Sequence, residues 1–273
     1  MVVIRKESVN SIPVLEVVQE KKLVEKLPLA IFVHGFTSAK ENNLHIAYLL
    51  AERGFRAVLP DAPFHGERDE GLGEEELSGR FWDIVIKTIH EVNTIKDFYV
   101  AGGLASPGEI GLAGTSMGGI VTLGALTQYD WIGAAVSLMG SPSYRDMACW
   151  QVDELRKRGY QLPFTDEELA QRIDALGPYD LSLQPEKVDG RPLLFWHGEA
   201  DTVVPHRYAW EFYEKLLKES GGAAEIAFVS EKLSGHKVTR KGTYALVDWF
   251  AEHLGRAKES AAKEEAAVEL FNS

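Results

Sequence analysis

The sequence predicts an α/β protein with a mostly parallel sheet covered by helices on both faces. Three observations carry that prediction. Short apolar runs such as "LAIFVHG" (29–35) and "RPLLFWHG" (191–198) are continuous rather than alternating, as expected of strands buried on both faces. Between such runs lie segments with apolar residues at helical spacing, such as "LHIAYLLAERG" and "YALVDWFAEHL". The chain is 273 residues long with 45% hydrophobic and 26% charged residues, enough for one large core in an ordinary globular protein.

Taken in order, "VVIRKES" and "PVLEVVQ" read as two N-terminal strands joined near Asn10 and Ser11. The strand "LAIFVHG", the helix "LHIAYLLAERG" and the strand "FRAVLPD" follow. "LSGRFWDIVIKTIHEVNTIKDFYV" reads as one long helix, "EIGLAG" as a strand, and "MGGIVTLGALTQY" as the helix after it. "WIGAAVSLMGS" and "RPLLFWHG" are further strands, and "RYAWEFYEKLLKE", "AEIAFVS" and "YALVDWFAEHL" close the series as helix, strand and helix. The interval 142–190 breaks the rhythm with a mostly helical pattern, and reads as a cap inserted into one domain spanning 1–258. Residues 259–273, rich in Ala, Glu and Lys, read as a charged tail.

Charge and composition narrow the function. The 41 acidic residues exceed the 29 basic ones, and the net charge of −12 disfavours nucleic acid and anionic membranes as partners. The single cysteine, Cys149, excludes an intrachain disulfide and reads as a small buried apolar residue. No apolar run has the length of a signal peptide or a membrane span, so a cytoplasmic location is expected. No histidine pair has metal-ligand spacing such as H-E-x-x-H, so no metal is expected, and the serine chemistry read below needs no organic cofactor.

The chemistry centres on "GLAGTSMGG" (111–119), where Ser116 stands between an expected strand and an expected helix. A G-x-S-x-G match arises easily by chance, but the strand–turn–helix setting is the one a nucleophile elbow requires. Gly114 and Gly118 leave room for such a turn, and the Met117 amide at the helix start can stabilise an oxyanion. A serine hydroxyl needs a base, and on such sheets the chain order is serine, acid, histidine. That order sets aside His34, His45, His65 and His90 as bases, while His197, His206 and His253 fall on a strand or helices. His236, in the glycine-flanked "LSGHKVT", remains. Asp201, in "HGEADTVVP" beyond a buried strand, is the preferred acid, with Glu199 as competitor in the same loop. Gly35 in "FVHGFTS" lets the backbone turn, so the Phe36 amide is the second oxyanion donor.

Together "VHGF", "GTSMGG", "HGEADTVVP" and "GHKV" resemble the α/β-hydrolase superfamily, near its prolyl-oligopeptidase and dienelactone-hydrolase-like branch. "IFVHGFTS…LPDAPFHGER" and "RPLLFWHG" are similar to small bacterial carboxylesterases of the YitV/YjfP type. The similarity runs from the N-terminal strands to about Leu254. It implies an eight-stranded, mostly parallel sheet and hydrolysis through an acyl-enzyme, with nucleophile, acid and base on Ser116, Asp201 and His236. It places the oxyanion amides on Phe36 and Met117. Dienelactone hydrolases carry cysteine where this chain has Ser116, which favours esters over that lactone chemistry, and a small capped pocket fits short-acyl carboxylic esters better than long triglycerides.

Pocket residues are less determined. Met147, Trp150, Tyr160, Phe164 and Tyr179 either roof an apolar pocket or pack within the cap. Phe64 and His65 either line the entrance or pack in their loop, and His34 either binds substrate or braces the loop. Two other functions fit the same fold: a peptidase or acyl-aminoacyl hydrolase, and a non-catalytic ligand-binding protein. The oligomeric state is not encoded in any motif.

Overall fold

A computed structural model describes residues 1–160, 164–219 and 225–255. The chain opens with β1 (Val2–Val9) and β2 (Ile12–Gln19), joined through Asn10 and Ser11, both at positive φ (49° and 67°). Those angles are what a two-residue hairpin turn needs to match strand twist. Next come β3 (Leu27–Val33), α1 (Leu44–Glu52), β4 (Arg56–Pro60), α2 (Glu74–Gly79) and α3 (Phe81–Ala101). Then follow β5 (Ala105–Thr115), α4 (Met117–Gln128), β6 (Ala134–Leu138), α5 (Tyr144–Lys157) and α6 (Asp166–Asp174). The series ends with β7 (Leu193–Gly198), α7 (His206–Glu219), β8 (Ile226–Glu231) and α8 (Arg240–Leu254).

These strands form one eight-stranded sheet in the order β1-β2-β4-β3-β5-β6-β7-β8. The β1–β2 and β2–β4 pairs are antiparallel and all others parallel. Alternate residues of a strand face opposite sides. Leu29, Ile31 and Val33 of β3 accordingly join a core with α3, α4 and α7, whereas Ala30 and Phe32 join one with α1 and α8. Parallel strands all present their C-terminal ends at the same edge, and the loops there build the site.

Two expectations change. The long helix expected over 77–100 is two helices, because Arg80 leaves helical geometry (φ −96°, ψ 1°) after the weak helix formers Ser78 and Gly79. Cys149 is exposed. The inward residues of α5 are Tyr144, Met147 and Ala148, and at about 100° per residue Cys149 turns away from that stripe. The cap reading places α5, α6 and three short 3₁₀ turns between β6 and β7, and α6 begins with a Thr165–Glu168 capping box. The expected tail at 259–273 lies outside the described residues. Among the described residues, no helix is long and apolar enough to cross a membrane.

The loop after β3 is bound to the loop after β4 by a buried polar cluster. Asp61 accepts from the Lys40 amide (3.0 Å), the Lys40 ammonium (2.5 Å) and the Glu67 amide (2.9 Å). Both charged side chains are fully buried. Burial disfavours the Lys40 charge, but hydrogen bonds to Asp61, Glu67 and Glu41 outweigh it and raise the pKa. Beside them lies His34, also fully buried, whose Nδ1 faces the Gly35 carbonyl (2.7 Å) while Nε2 accepts the Ala62 amide (3.0 Å). Burial holds this imidazole neutral, with its pKa pushed down to about 4.

Two stability measurements test this cluster. Asp61→Asn leaves a buried ammonium with only its two weaker partners, and urea unfolding should register a loss of about 3 kcal/mol. For His34, the unfolded imidazole takes up its proton near pH 6.5 and the folded one only near 4. Its contribution is therefore intact above pH 6.5 and lost as pH falls to 4, an order of ~3 kcal/mol. Unfolding free energies at pH 7.5 and pH 4.5 should differ less in His34→Gln than in the wild type.

Candidate active site

Ser116 occupies the single residue between β5 and α4, at φ 54° and ψ −114°. A serine has no sterically easy reason to adopt these angles, so the surroundings must impose them. The Ser116 amide donates to the Leu138 carbonyl (2.8 Å), and its carbonyl accepts from Ile120 (2.9 Å). The flanking glycines permit contact between backbones: a Cβ on Gly114 would lie 2.3 Å from Gly118 C, and one on Gly118 would lie 2.0 Å from the Val33 oxygen. Larger residues at either place would force the turn open.

His236 lies in the loop between β8 and α8. Its Nε2 is 2.8 Å from Ser116 Oγ and its Nδ1 is 2.7 Å from Asp201 Oδ2. A carboxylate only accepts, so the neutral ring carries its proton on Nδ1 and offers the Nε2 lone pair to the serine hydroxyl. The His236 loop is seated against the Asp201 loop. The Ala200 amide donates to the Ser234 carbonyl (3.0 Å), and a Cβ on Gly198 would lie 2.2 Å from that same oxygen.

Asp201 follows β7, and its side chain is fully buried. Oδ1 accepts the Val203 and Val204 amides (2.8 and 3.0 Å), and Oδ2 accepts from His236. His197 Nε2 also lies 3.2 Å from Oδ2 and 2.9 Å from the Val204 carbonyl. Both are acceptors, so this nitrogen carries a proton and shares it between them. Burial alone would raise the Asp201 pKa, but hydrogen bonds from His197, His236 and the Val204 amide prevail and hold it well below the usual carboxylate range. Glu199 is turned elsewhere, accepting from Ser230 Oγ (2.8 Å).

Two backbone segments border Ser116. Met117 is the first residue of α4, so its N–H has no acceptor within the helix and sits at the positive end of the helix dipole. Gly35 runs directly beside the serine: a Cβ built on it would lie 3.6 Å from Ser116 Cβ, and the next residue, Phe36, lines the same cavity as Ser116.

From Ser116 a cavity of about 730 Å³ extends beneath α5 and α6, with Phe36 at its wall. Of the expected pocket residues, Met147, Trp150 and Phe164 line it. The other five lie elsewhere. Tyr160 is 56% exposed, and Tyr179 is bonded through its hydroxyl to His90 Nε2 (3.1 Å). His34 and His65 are buried behind the Phe36 loop, both engaged with backbone groups. Phe64 is at φ 62°, with the Arg80 guanidinium over its ring (5.1 Å).

Sequence reasoning missed three contributors. Phe81 and Trp82 line the cavity from the first turn of α3, where the expected single helix would have hidden them mid-element. Trp82 Nε1 also donates to Gln151 Oε1 (3.0 Å), tying α3 to α5. His197 was set aside as a base because it lies on a strand. Its position four residues before Asp201 was the available signal for a partner to the acid.

The prolyl oligopeptidase family matches residues 43–259. "Putative esterase YitV" of Bacillus subtilis (strain 168) is 49% identical over 255 residues, covering 93% of this chain and 100% of that protein. Esterase YjfP of Escherichia coli (strain K12) is 28% identical over 260 residues, covering 93% and 100%. Among solved structures, TT1662 from Thermus thermophilus superposes with a TM-score of 0.72 at 22% identity, over 93% of this chain and 98% of that one. The chain belongs to the prolyl oligopeptidase family and is an esterase-like serine hydrolase of the α/β-hydrolase fold.

Proposed function

We propose that this protein is a serine carboxylesterase that hydrolyses small, short-acyl esters through an acyl-enzyme on Ser116. The observation that carries the proposal is the unbroken relay Ser116 Oγ–His236 Nε2 and Nδ1–Asp201 Oδ2, opening onto an apolar cavity. In this reading His236 takes the Ser116 proton as Oγ attacks the ester carbonyl, and the buried Asp201 carboxylate stabilises the imidazolium. The Phe36 and Met117 amides are the oxyanion donors, each worth about 3 kcal/mol of barrier. His236 then protonates the departing alcohol, and a water, deprotonated by the same ring, attacks the acyl-enzyme. The proton balance closes with the free acid and the resting serine.

The cavity supports the substrate class. Its volume lies within the roughly 300–1,000 Å³ typical of small-molecule sites, enough to enclose a small ester, acyl and alcohol portions together. A long-chain triglyceride exceeds it. Phe36, Phe81, Trp82 and Trp150 favour apolar substituents by burial. A cytoplasmic location is part of the proposal, in keeping with a chain whose single cysteine cannot form an internal disulfide.

Three results test this reading. Hydrolysis of p-nitrophenyl acetate should begin with a burst near one equivalent of p-nitrophenol, absent in Ser116→Ala; a variant that kept wild-type turnover would remove the nucleophile from the proposal. In Asp201→Asn the imidazole tautomer is no longer imposed by an acceptor, and kcat should fall about 10³–10⁴-fold at neutral pH. Across acetate, butyrate and octanoate esters, kcat/KM should peak at the shorter chains, and a maximum at octanoate would overturn the short-acyl assignment.

A further inference from the structure

The loop that carries Phe36 holds an unfavourable conformation. Thr37 lies at φ 59°, a rare angle for a β-branched residue, and the Ser38 amide donates to the Gly35 carbonyl (3.2 Å) to close a tight turn around Phe36 and Thr37. Something outside the turn must hold it. The Thr37 amide donates to His65 Nε2 at 3.0 Å. His65 Nδ1 faces the Pro63 carbonyl (2.8 Å), which can only accept, so the ring proton is on Nδ1 and Nε2 is free to receive. The imidazole is 3% exposed, so water does not compete for it. Its ring also meets the Phe36 ring edge-on, with centroids 5.3 Å apart.

We propose that His65 is a positioning residue for catalysis: its neutral imidazole holds the Thr37 amide and so sets the place of the Phe36 amide beside Ser116. This rests on the serine-hydrolase reading above. His65 itself does not line the cavity, so it acts on the reacting atoms only through the loop. The support is doubled by the neighbouring ring. His34 Nε2 accepts the Ala62 amide across the same two loops, with the two imidazole centroids 5.2 Å apart. Two neutral rings thus bind the loop after β3 to the loop after β4 from both directions. An amide that contacts the substrate oxygen chiefly when it becomes an oxyanion affects the transition state more than substrate binding. Displacing it should therefore lower kcat and leave KM nearly unchanged.

The test is a pair of substitutions read against p-nitrophenyl butyrate. His65→Leu removes the acceptor, and kcat should fall about 10- to 100-fold with KM within about twofold of wild type. His65→Gln places an amide oxygen where Nε2 stood, and kcat should return to within about fivefold of wild type. The inference is overturned if His65→Leu keeps wild-type kcat, if Gln restores nothing relative to Leu, or if KM rises with kcat intact. Nitrogen-15 NMR of the wild-type histidines gives a readout that no variant's folding can obscure: a proton on His65 Nε2 would also overturn it. Ser116→Ala in the same series separates the two ideas. Turnover surviving that change sinks the serine-hydrolase reading, whereas wild-type kcat in His65→Leu, with Ser116 still required, sinks the positioning role alone.

Discussion

The structure depends on a close approach of three backbones. The end of β5, the first turn of α4 and the end of β3 meet where Gly114, Gly118 and Val33 come nearer than any side chain would allow. That contact forces Ser116 into its φ of 54° and brings Gly35 against it. The backbone geometry of Ser116 and the placement of the neighbouring Phe36 loop are thus consequences of the same packing event. Strain at the serine is held by the sheet's central strands, whose buried residues supply the largest cohesive term in the fold.

Polar groups behind the site are arranged so that no charge is buried alone. Asp201 receives four hydrogen-bond donors within 3.2 Å, which outweigh its desolvation and keep it ionised. Lys40 and Asp61 neutralise each other on the opposite side of the serine loop system. His34 and His65 are held neutral by burial, and so serve as acceptors for backbone amides. Loops that would otherwise be free at the sheet's edge are tied to each other by these groups.

Much of this was legible because the motifs are local. The runs that became β3, β5, β6 and β7 are apolar on both faces, and each ends in glycine, a turn or a cap residue within a few positions. Ser116, Asp201 and His236 could be singled out because chain order and loop position are one-dimensional properties. Choosing Asp201 over Glu199 is different in kind, since the two are separated by one residue and face different partners. Pocket residues were harder still. Tyr160 and Trp150 are both cap aromatics, but only the face of α5 that turns toward α3 reaches the cavity, and α3 begins at Phe81 only because Arg80 breaks the helix. His65 and His34 stand where a substrate contact was plausible from sequence, and only the backbone amides aimed at their rings assign them to the loops. Cys149 was misplaced because composition says how often a cysteine is buried, and helix phase decides whether this one is.

The edge strand β8 is half-buried along its whole length, and His236 lies in the loop just beyond it. Ser116 and His236 are separated by 120 residues of chain, and β7 with the Asp201 loop lies between them in sequence. The imidazole that faces Ser116 is therefore synthesised 120 residues after it and is carried by the loop that follows the last strand. In the mechanism proposed above, reactivity toward acyl groups thus requires the last strand of the sheet to be in place.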